Sequence, residues 1–229
     1  MNTKNYTLGL DLGDRRSTYC ILDEAGKTVA EESVATTREG FNALSERYSG
    51  AVIAMETGTH SPWVSRLFEA RQHKVYVANA RKVRAISQSN TKSDLEDARM
   101  LARLARVDPA LLSPVKHRSE DGQRALLQIK VREALVRSRV NLMNSVRFLL
   151  KSLGLPMPSG VKASSFVKKV RAGLDTPTCA LVEPLLKMLE TLNAAIDGCE
   201  QQLEKLAAER YPLAARLQQV PGVGPLTSL

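Results

Sequence analysis

The sequence predicts an α/β fold in which a mixed sheet covered by helices is followed by a domain of long helices. Short apolar runs alternate with helical patterns through residues 1–113, and two long helical patterns follow residue 120. Apolar residues make up 43% of the 229-residue chain, which is enough for a hydrophobic core. We therefore predict a sheet domain at 1–113, a helical domain at 114–211 and the start of a further domain at 212–229.

Five strands are predicted in the sheet domain, and polar turns join the first three as hairpins. The predicted strands are Tyr6–Asp11, Ser17–Leu22, Thr28–Thr36, Ala51–Met55 and Val75–Ala78. Helices are predicted at Arg38–Tyr48, Ser61–Gln72 and Asp94–Arg106. Hairpins followed by alternating helices and strands indicate a sheet with both antiparallel and parallel pairs.

The helical domain begins with a proline-free pattern of roughly 30 residues, Asp121–Leu153. Within it, Leu135, Leu142 and Leu149 recur every seven residues. A second pattern runs from about Thr178 to Glu209, and the Ser-, Gly- and Lys-rich segment between the two predicts a loop. Such apolar seams are compatible with an antiparallel hairpin, a coiled coil between subunits or a small bundle within the chain.

Positive charge is concentrated in the middle of the chain. Residues 61–180 carry 23 basic and 9 acidic side chains, a net of +14, whereas the whole chain carries +9. This concentration favours a nucleic-acid partner over a merely solvated helix surface. The basic residues predicted to bind nucleic acid are Arg81, Lys82, Arg84, Lys130, Arg132, Arg137, Arg139, Arg147, Lys168 and Lys169.

Several classes of protein are disfavoured by composition. The sequence contains no run of eighteen apolar residues, so no membrane span is expected. Its three cysteines, Cys20, Cys179 and Cys199, are far apart and predict neither a disulfide framework nor a zinc site. A cytoplasmic location is the simplest expectation.

Four carboxylates lie at the ends of predicted elements. Asp11 and Glu56 end apolar strands, and Asp94 and Asp97 share one face of the first turn of a helix. Such carboxylates are costly without a compensating cation, and they could share two divalent ions about 3.5–4 Å apart. The sequence therefore predicts a Mg²⁺ or Mn²⁺ site that acts on phosphodiesters. For Asp94 and Asp97 alone, attraction to the positive helix terminus is an equally good explanation.

Three sequence blocks occur in a fixed order: Gly9–Gly13 (GLDLG), Met55–Gly58 (METG) and Thr91–Ala102 (TKSDLEDARMLA). With the long basic helices, they resemble the DEDD insertion-sequence transposases, the RNA-guided bridge recombinases. The resemblance implies a RuvC-like sheet domain related to ribonuclease H, a coiled-coil middle domain and a C-terminal transposase domain. It implies that the four carboxylates form a catalytic tetrad that binds Mg²⁺ or Mn²⁺. Its implied partners are DNA, a structured guide RNA and further copies of the chain, in a dimer or tetramer joined through the long helices.

The C-terminal part of the sequence departs from this family pattern. The family's serine nucleophile belongs to the C-terminal domain, and Ser228 lies too early to match it. Val220–Leu226 resembles the start of that domain, so we expect a recombinase subunit that is truncated and unable to complete strand exchange. Two alternatives stay open. One is a non-catalytic nucleic-acid-binding assembly module or regulatory fragment. The other is an actin-like sugar kinase, because Asp11–Gly13 also resembles the phosphate loop of that class.

Overall fold

The computed structural model describes residues 5–86, 93–155 and 160–228. The chain forms two compact units, Met1–Arg118 (the sheet unit) and Ser119–Leu229 (the helical unit). The first is built on a mixed sheet and the second consists of helices, which confirms the predicted fold class. The predicted domain bounds at 113 and 211 stay predictions.

The sheet has five strands in the order β3-β2-β1-β4-β5. They are β1 (Thr7–Asp11), β2 (Arg16–Leu22), β3 (Thr28–Ala35), β4 (Val52–Glu56) and β5 (Lys74–Ala78). The central strand β1 pairs antiparallel with β2 and parallel with β4, and β4 pairs parallel with β5. The prediction of a mixed sheet with these five strands is confirmed.

Helices cover both faces of the sheet, and the two faces differ in side-chain size. The helices of this unit are α1 (Arg38–Arg47), α2 (Ser61–Glu69), α3 (Ala80–Ile86) and α4 (Asp94–Val107), followed by a 3-10 helix at Pro109–Leu112. One face buries large side chains against Phe41 of α1 and Phe68 of α2. The other face carries Gly9, Cys20 and Ala54, and small residues let α4 lie close to the strands.

The described residues of the helical unit form two long helices and three short ones. They are α5 (Glu120–Ser152), α6 (Ala163–Ala172), α7 (Thr176–Arg210), α8 (Pro212–Leu217) and α9 (Pro225–Ser228). The two long helices were both predicted from their apolar periodicity. None of the helices in the described ranges is long and apolar enough to cross a membrane.

Helices α5 and α7 pack side by side in antiparallel orientation. Arg132 of α5 donates to Glu200 of α7, and Arg139, two turns later in α5, donates to Asn193, two turns earlier in α7. At the other end of the pair, Arg210 lies 3.3 Å from Asp121. A helical hairpin within the chain therefore buries part of each apolar seam, such as Val146 of α5 and Ile196 of α7, whereas Leu149 is 47% exposed. Further association between chains stays a prediction.

The segment between the long helices was predicted as a loop, and that prediction was wrong. Residues 163–172 form α6, whose Phe166, Val167 and Val170 are buried among residues of α5 and α7. These three side chains share one face at helical spacing, but the helix has only ten residues. A helix this short is marginal by itself, so burial of this face stabilises it.

Candidate metal centre and nucleic-acid interface

Asp11 and Glu56 end neighbouring parallel strands at the same edge of the sheet. Leu10 of β1 is paired with Met55 of β4 in parallel register, so the next residues, Asp11 and Glu56, occupy neighbouring backbone positions where the two strands end. Side chains alternate along a strand, and Ala54 packs in the layer of α4. Asp11 and Glu56 are therefore directed to the face of the sheet that α4 covers.

Helix α4 brings its acidic first turn toward the same edge. At its C-terminal end, Arg106 donates to the carbonyl oxygen of Glu24 at 2.5 Å. Glu24 lies in the turn after β2, beside the amino end of β1, because Leu22 pairs with Thr7. The helix thus runs antiparallel to β1, and its first turn, with Asp94 and Asp97, points toward the carboxyl end of that strand.

The four carboxylates share an edge but do not form a closed ligand set. Within residues 5–86, 93–155 and 160–228, no group of three or more His, Cys, Asp or Glu side chains is arranged to hold a metal ion. Carboxylate oxygens are nevertheless the hard ligands that Mg²⁺ and Mn²⁺ prefer. The donor chemistry therefore fits the predicted ions, and their binding stays a prediction that requires the side chains to converge.

Close packing against β1 fixes how near α4 lies to this edge. A Cβ at Gly9 would lie 2.0 Å from the carbonyl oxygen of Ala98 and 2.5 Å from the amide nitrogen of Ala102. Only a glycine fits between the strand and the helix backbone at that distance. Gly9, the first glycine of the GLDLG block, lies two residues before Asp11. It therefore affects the site indirectly, by allowing α4 to lie close to β1.

An arginine fork holds α4 in register with the sheet. Arg99 donates from Nε and Nη2 to the two carboxylate oxygens of Glu31 on β3, at 2.5 and 2.6 Å, and its Nη1 donates to Glu96. The Arg99 guanidinium holds the pKa of the Glu31 carboxyl below its usual range. Small residues such as Ala98 and Ala102 interlock little with the sheet, so this fork fixes the helix along its axis. Sequence reasoning missed it because the two partners lie 68 positions apart.

We expect Arg99→Met to lower the midpoint of thermal unfolding of the sheet unit more than Arg103→Met does. Arg103 lies one turn later on α4, is exposed, and makes no ion pair within the described residues. Because the folded-state pKa of Glu31 is lowered, the contribution of its ion pair with Arg99 to folding stability is fully present above the ordinary glutamate pKa of about 4.3. That contribution is lost as pH falls through the folded-state pKa of Glu31, so wild type and variant should converge only at pH values below that lowered pKa. Circular dichroism melts across pH test this, and equal midpoints at neutral pH would contradict it.

His60 links the two loops that leave the carboxylate edge. Its Nδ1 accepts a hydrogen bond from Trp63 Nε1 at 3.1 Å, and its Nε2 lies 3.4 Å from an Asp14 carboxylate oxygen. Asp14 follows β1 and His60 follows β4. These contacts support a structural role that ties the ends of the two strands together.

Some of the predicted nucleic-acid-binding side chains contact other groups of the protein, whereas others are exposed to solvent. Arg132, Arg139 and Arg147 contact Glu200, Asn193 and the ring of Phe166, respectively, and so contribute to packing of the helical unit. Lys130 and Arg137 both pair with Glu133. Available residues are the exposed side chains of Arg81 and Lys82 on α3 and of Lys168 and Lys169 on α6. The side chain of Arg84 lies outside the described residues, and the binding role of the whole set stays a prediction.

Comparison with known proteins identifies the family. A family model described as a transposase, of the DEDD type of insertion sequence IS110, matches residues 8–154. This match spans the sheet unit and α5, including all four carboxylates. The chain belongs to the IS110-type family of DEDD transposases.

Curated relatives are similar along nearly the whole chain. The transposase for insertion sequence element IS1111A of Coxiella burnetii is 28% identical, over 97% of this chain and 61% of the relative. The transposase for insertion sequence element IS1328 of Yersinia enterocolitica is 26% identical, over 98% of this chain and 66% of the relative. A probable family 20 transposase of Pseudomonas aeruginosa is 27% identical, over 96% of this chain and 65% of the relative. The chain thus spans less than two thirds of the length of these relatives.

Proposed function

We propose that this chain provides the metal-dependent part of a DNA transposase, a site-specific recombinase that is guided by a structured RNA. The observation that carries the proposal is the common edge of the sheet unit. Asp11 and Glu56 end neighbouring parallel strands there, and the first turn of α4 points toward them. The transposase family to which the chain belongs supports DNA as the substrate.

In this proposal the four carboxylates act as ligands for Mg²⁺ or Mn²⁺. Ions held by these four carboxylates would supply activation of the attacking oxygen and stabilisation of the leaving oxygen at a phosphodiester. Asp11 and Glu56 are held by strands within the hydrogen-bonded sheet, so their backbone positions are rigid. Asp94 and Asp97 are carried by α4, whose depth is set by Gly9 and whose register is set by Arg99.

The proposed partners are DNA, a structured guide RNA and further copies of the chain. Residues 61–180 carry a net charge of +14, which supports contact with a nucleic-acid backbone. Both long helices also expose large apolar side chains, including Phe148 at 75% and Leu181 at 77% relative exposure. Exposed apolar residues of this size on α5 and α7 support assembly of a dimer or tetramer through the long helices.

The proposal is tested by purifying the 229-residue chain and identifying the nucleic acid that accompanies it. We expect a structured RNA to co-purify and to be released at high salt. The RNA-free protein should then bind duplex DNA with an affinity that falls as salt rises, because bound phosphates release counterions. Addition of Mn²⁺ should raise the thermal stability of wild type but not of Asp11→Asn.

The outcomes separate the candidate functions. RNA and DNA binding together with Mn²⁺ stabilisation supports the recombinase subunit. Nucleic-acid binding without any response to Mn²⁺ supports the non-catalytic assembly module instead. Absence of both RNA and salt-dependent DNA binding contradicts the proposed function as a whole.

A further inference from the structure

We infer that four lysines of the helical unit, Lys151, Lys162, Lys168 and Lys169, form a binding surface for the nucleic-acid backbone, here called the α6 surface. Lys151 lies in the last turn of α5, Lys162 precedes α6, and the other two lie on α6. The inference rests on the proposed function, because it assigns to this surface a nucleic acid that the chain is proposed to bind.

The α6 surface lies in the most one-sided charge region of the sequence. Residues 134–174 contain eight basic side chains and no acidic one. The facing part of α7 contributes Glu183 and Glu190, and both of these carboxylates pair with Arg171, at 2.7 and 2.5 Å. Arg171 and, more weakly, Lys187 lower the pKa of both carboxyls. These two acids and two bases balance each other, so the positive charge of the four lysines is left uncompensated.

All four lysines are exposed and available to a ligand. The buried residues Phe166, Val167 and Val170 occupy one side of α6. Lys162 and Lys169 are seven residues apart and lie together on the flank next to Phe166, whereas Lys168 lies on the side of α6 opposite the buried residues. No ion pair within the described part of the chain involves any of the four lysines. Their ammonium groups can therefore contact phosphate without first giving up a carboxylate.

Arg147 connects the end of α5 to α6 and brings Lys151 into the same surface. Its guanidinium lies over the ring of Phe166, 5.0 Å from the ring centre. Lys151 follows Arg147 by one helical turn and so projects from the same side of α5. The four lysines thus extend along the side of α6 and the adjoining end of α5, an arrangement that suits a run of successive phosphates.

The opposite end of the helical unit differs in the state of its cations. Arg124, Lys205 and Arg210 are each within 4 Å of an Asp or Glu carboxylate, which partly satisfies them. Basic residues are therefore present at both ends, but those of the α6 surface lack carboxylate partners among the described residues. This contrast, rather than the number of basic residues, selects the α6 surface as the binding site.

The structure favours nucleic acid over an anionic membrane at this surface. A helix that binds in a membrane interface presents its apolar face to the lipid. The apolar face of α6 is instead buried in the core with Leu150 and Leu186. The exposed charged side chains of α6 are its lysines, and point contacts to backbone phosphates match them.

The test compares two quadruple variants of the 229-residue chain that remove the same charge. One carries Lys151→Gln, Lys162→Gln, Lys168→Gln and Lys169→Gln. The matched control carries Arg124→Gln, Lys205→Gln, Arg210→Gln and, on the neighbouring α8, Arg216→Gln. Fluorescence anisotropy with a short mixed-sequence DNA duplex and with an RNA hairpin is recorded at several salt concentrations, and co-sedimentation with phosphatidylserine vesicles is measured in parallel.

For the α6-surface variant, we expect affinity to fall about tenfold or more, and the log–log salt slope for duplex DNA to become shallower by about 3 to 4, at about 0.9 per phosphate. The affinity of the control variant should fall by less than about threefold, and its log–log salt slope should stay the same as that of wild type. Equal losses in the two variants would overturn the inference, because total charge would then explain binding. Loss of adhesion to phosphatidylserine vesicles with unchanged DNA and RNA binding would also overturn it. Failure of wild type to bind either nucleic acid would instead refute the proposed function.

Discussion

Replacing Gly9 with valine is expected to unfold the sheet unit at ordinary temperature, and Gly9→Ala is expected to destabilise it strongly. Any Cβ at this position would lie 2.0 Å from a carbonyl oxygen and 2.5 Å from an amide nitrogen of α4. Both neighbours are backbone atoms, so relief requires the whole helix to move away from β1. Overpacking of a core typically costs about 1–3 kcal/mol, and displacement of a helix backbone should reach or exceed about 3 kcal/mol.

The comparison that isolates this effect is Gly58→Ala. Gly58 lies in the loop after β4, and a Cβ there would have no atom within 4 Å. We expect this control to change the free energy of unfolding by no more than about 0.5 kcal/mol. Urea unfolding followed by circular dichroism measures both variants. If Gly9→Ala were as stable as Gly58→Ala, the close approach of α4 to β1 would be wrong.

The second large effect concerns the carboxylates. Asp11→Asn and Asp97→Asn are each expected to weaken Mn²⁺ binding by roughly a hundredfold or more, since even residues that support metal ligands affect affinity by about 10–100-fold. Asparagine keeps the shape of the side chain but removes the charge that attracts the cation. Because ligands must be deprotonated, binding to wild type should also weaken as the solution is acidified. Isothermal titration calorimetry measures the affinities.

Glu96→Gln is the matched control for these variants. Glu96 lies between Asp94 and Asp97 in the first turn of α4, but its side chain pairs with Arg99. Its substitution removes the same charge from the same turn, and Mn²⁺ affinity should change by less than about threefold if ligation rather than local charge matters. Comparable losses in Glu96→Gln and Asp97→Asn would mean that general electrostatic attraction holds the ion.

The position of the candidate site was predictable from sequence because it depends on strand ends. Apolar runs that stop at Asp11 and Glu56 identify the carboxyl ends of two buried strands, and parallel neighbours end at the same edge. The acidic first turn of α4 was predicted from the helical pattern that begins at Asp94, and the structure shows that the Ser93 hydroxyl caps it by accepting the hydrogen bond of the Glu96 amide. The direction of α4 across the sheet was not predictable, because it follows from the contact between Arg106 and Glu24.

The roles of the basic residues were less predictable. A sequence shows that Arg132 and Arg139 are basic, but their engagement depends on the antiparallel register of α5 and α7. The α6 surface had a signal in the sequence, namely the absence of acidic residues from 134 to 174. That signal could not show that Arg171 would bind both facing glutamates, which is what leaves the lysines uncompensated.

An anomalous difference map from crystals grown with Mn²⁺ tests most directly whether the carboxylates share a metal site. We expect density beside the carboxyl ends of β1 and β4, within about 2.2 Å of oxygens of Asp11, Glu56 and at least one aspartate of α4. The same density should be absent from crystals of Asp11→Asn. Manganese bound at other carboxylates, with Glu56 directed away from Asp11 at saturating Mn²⁺, would contradict it.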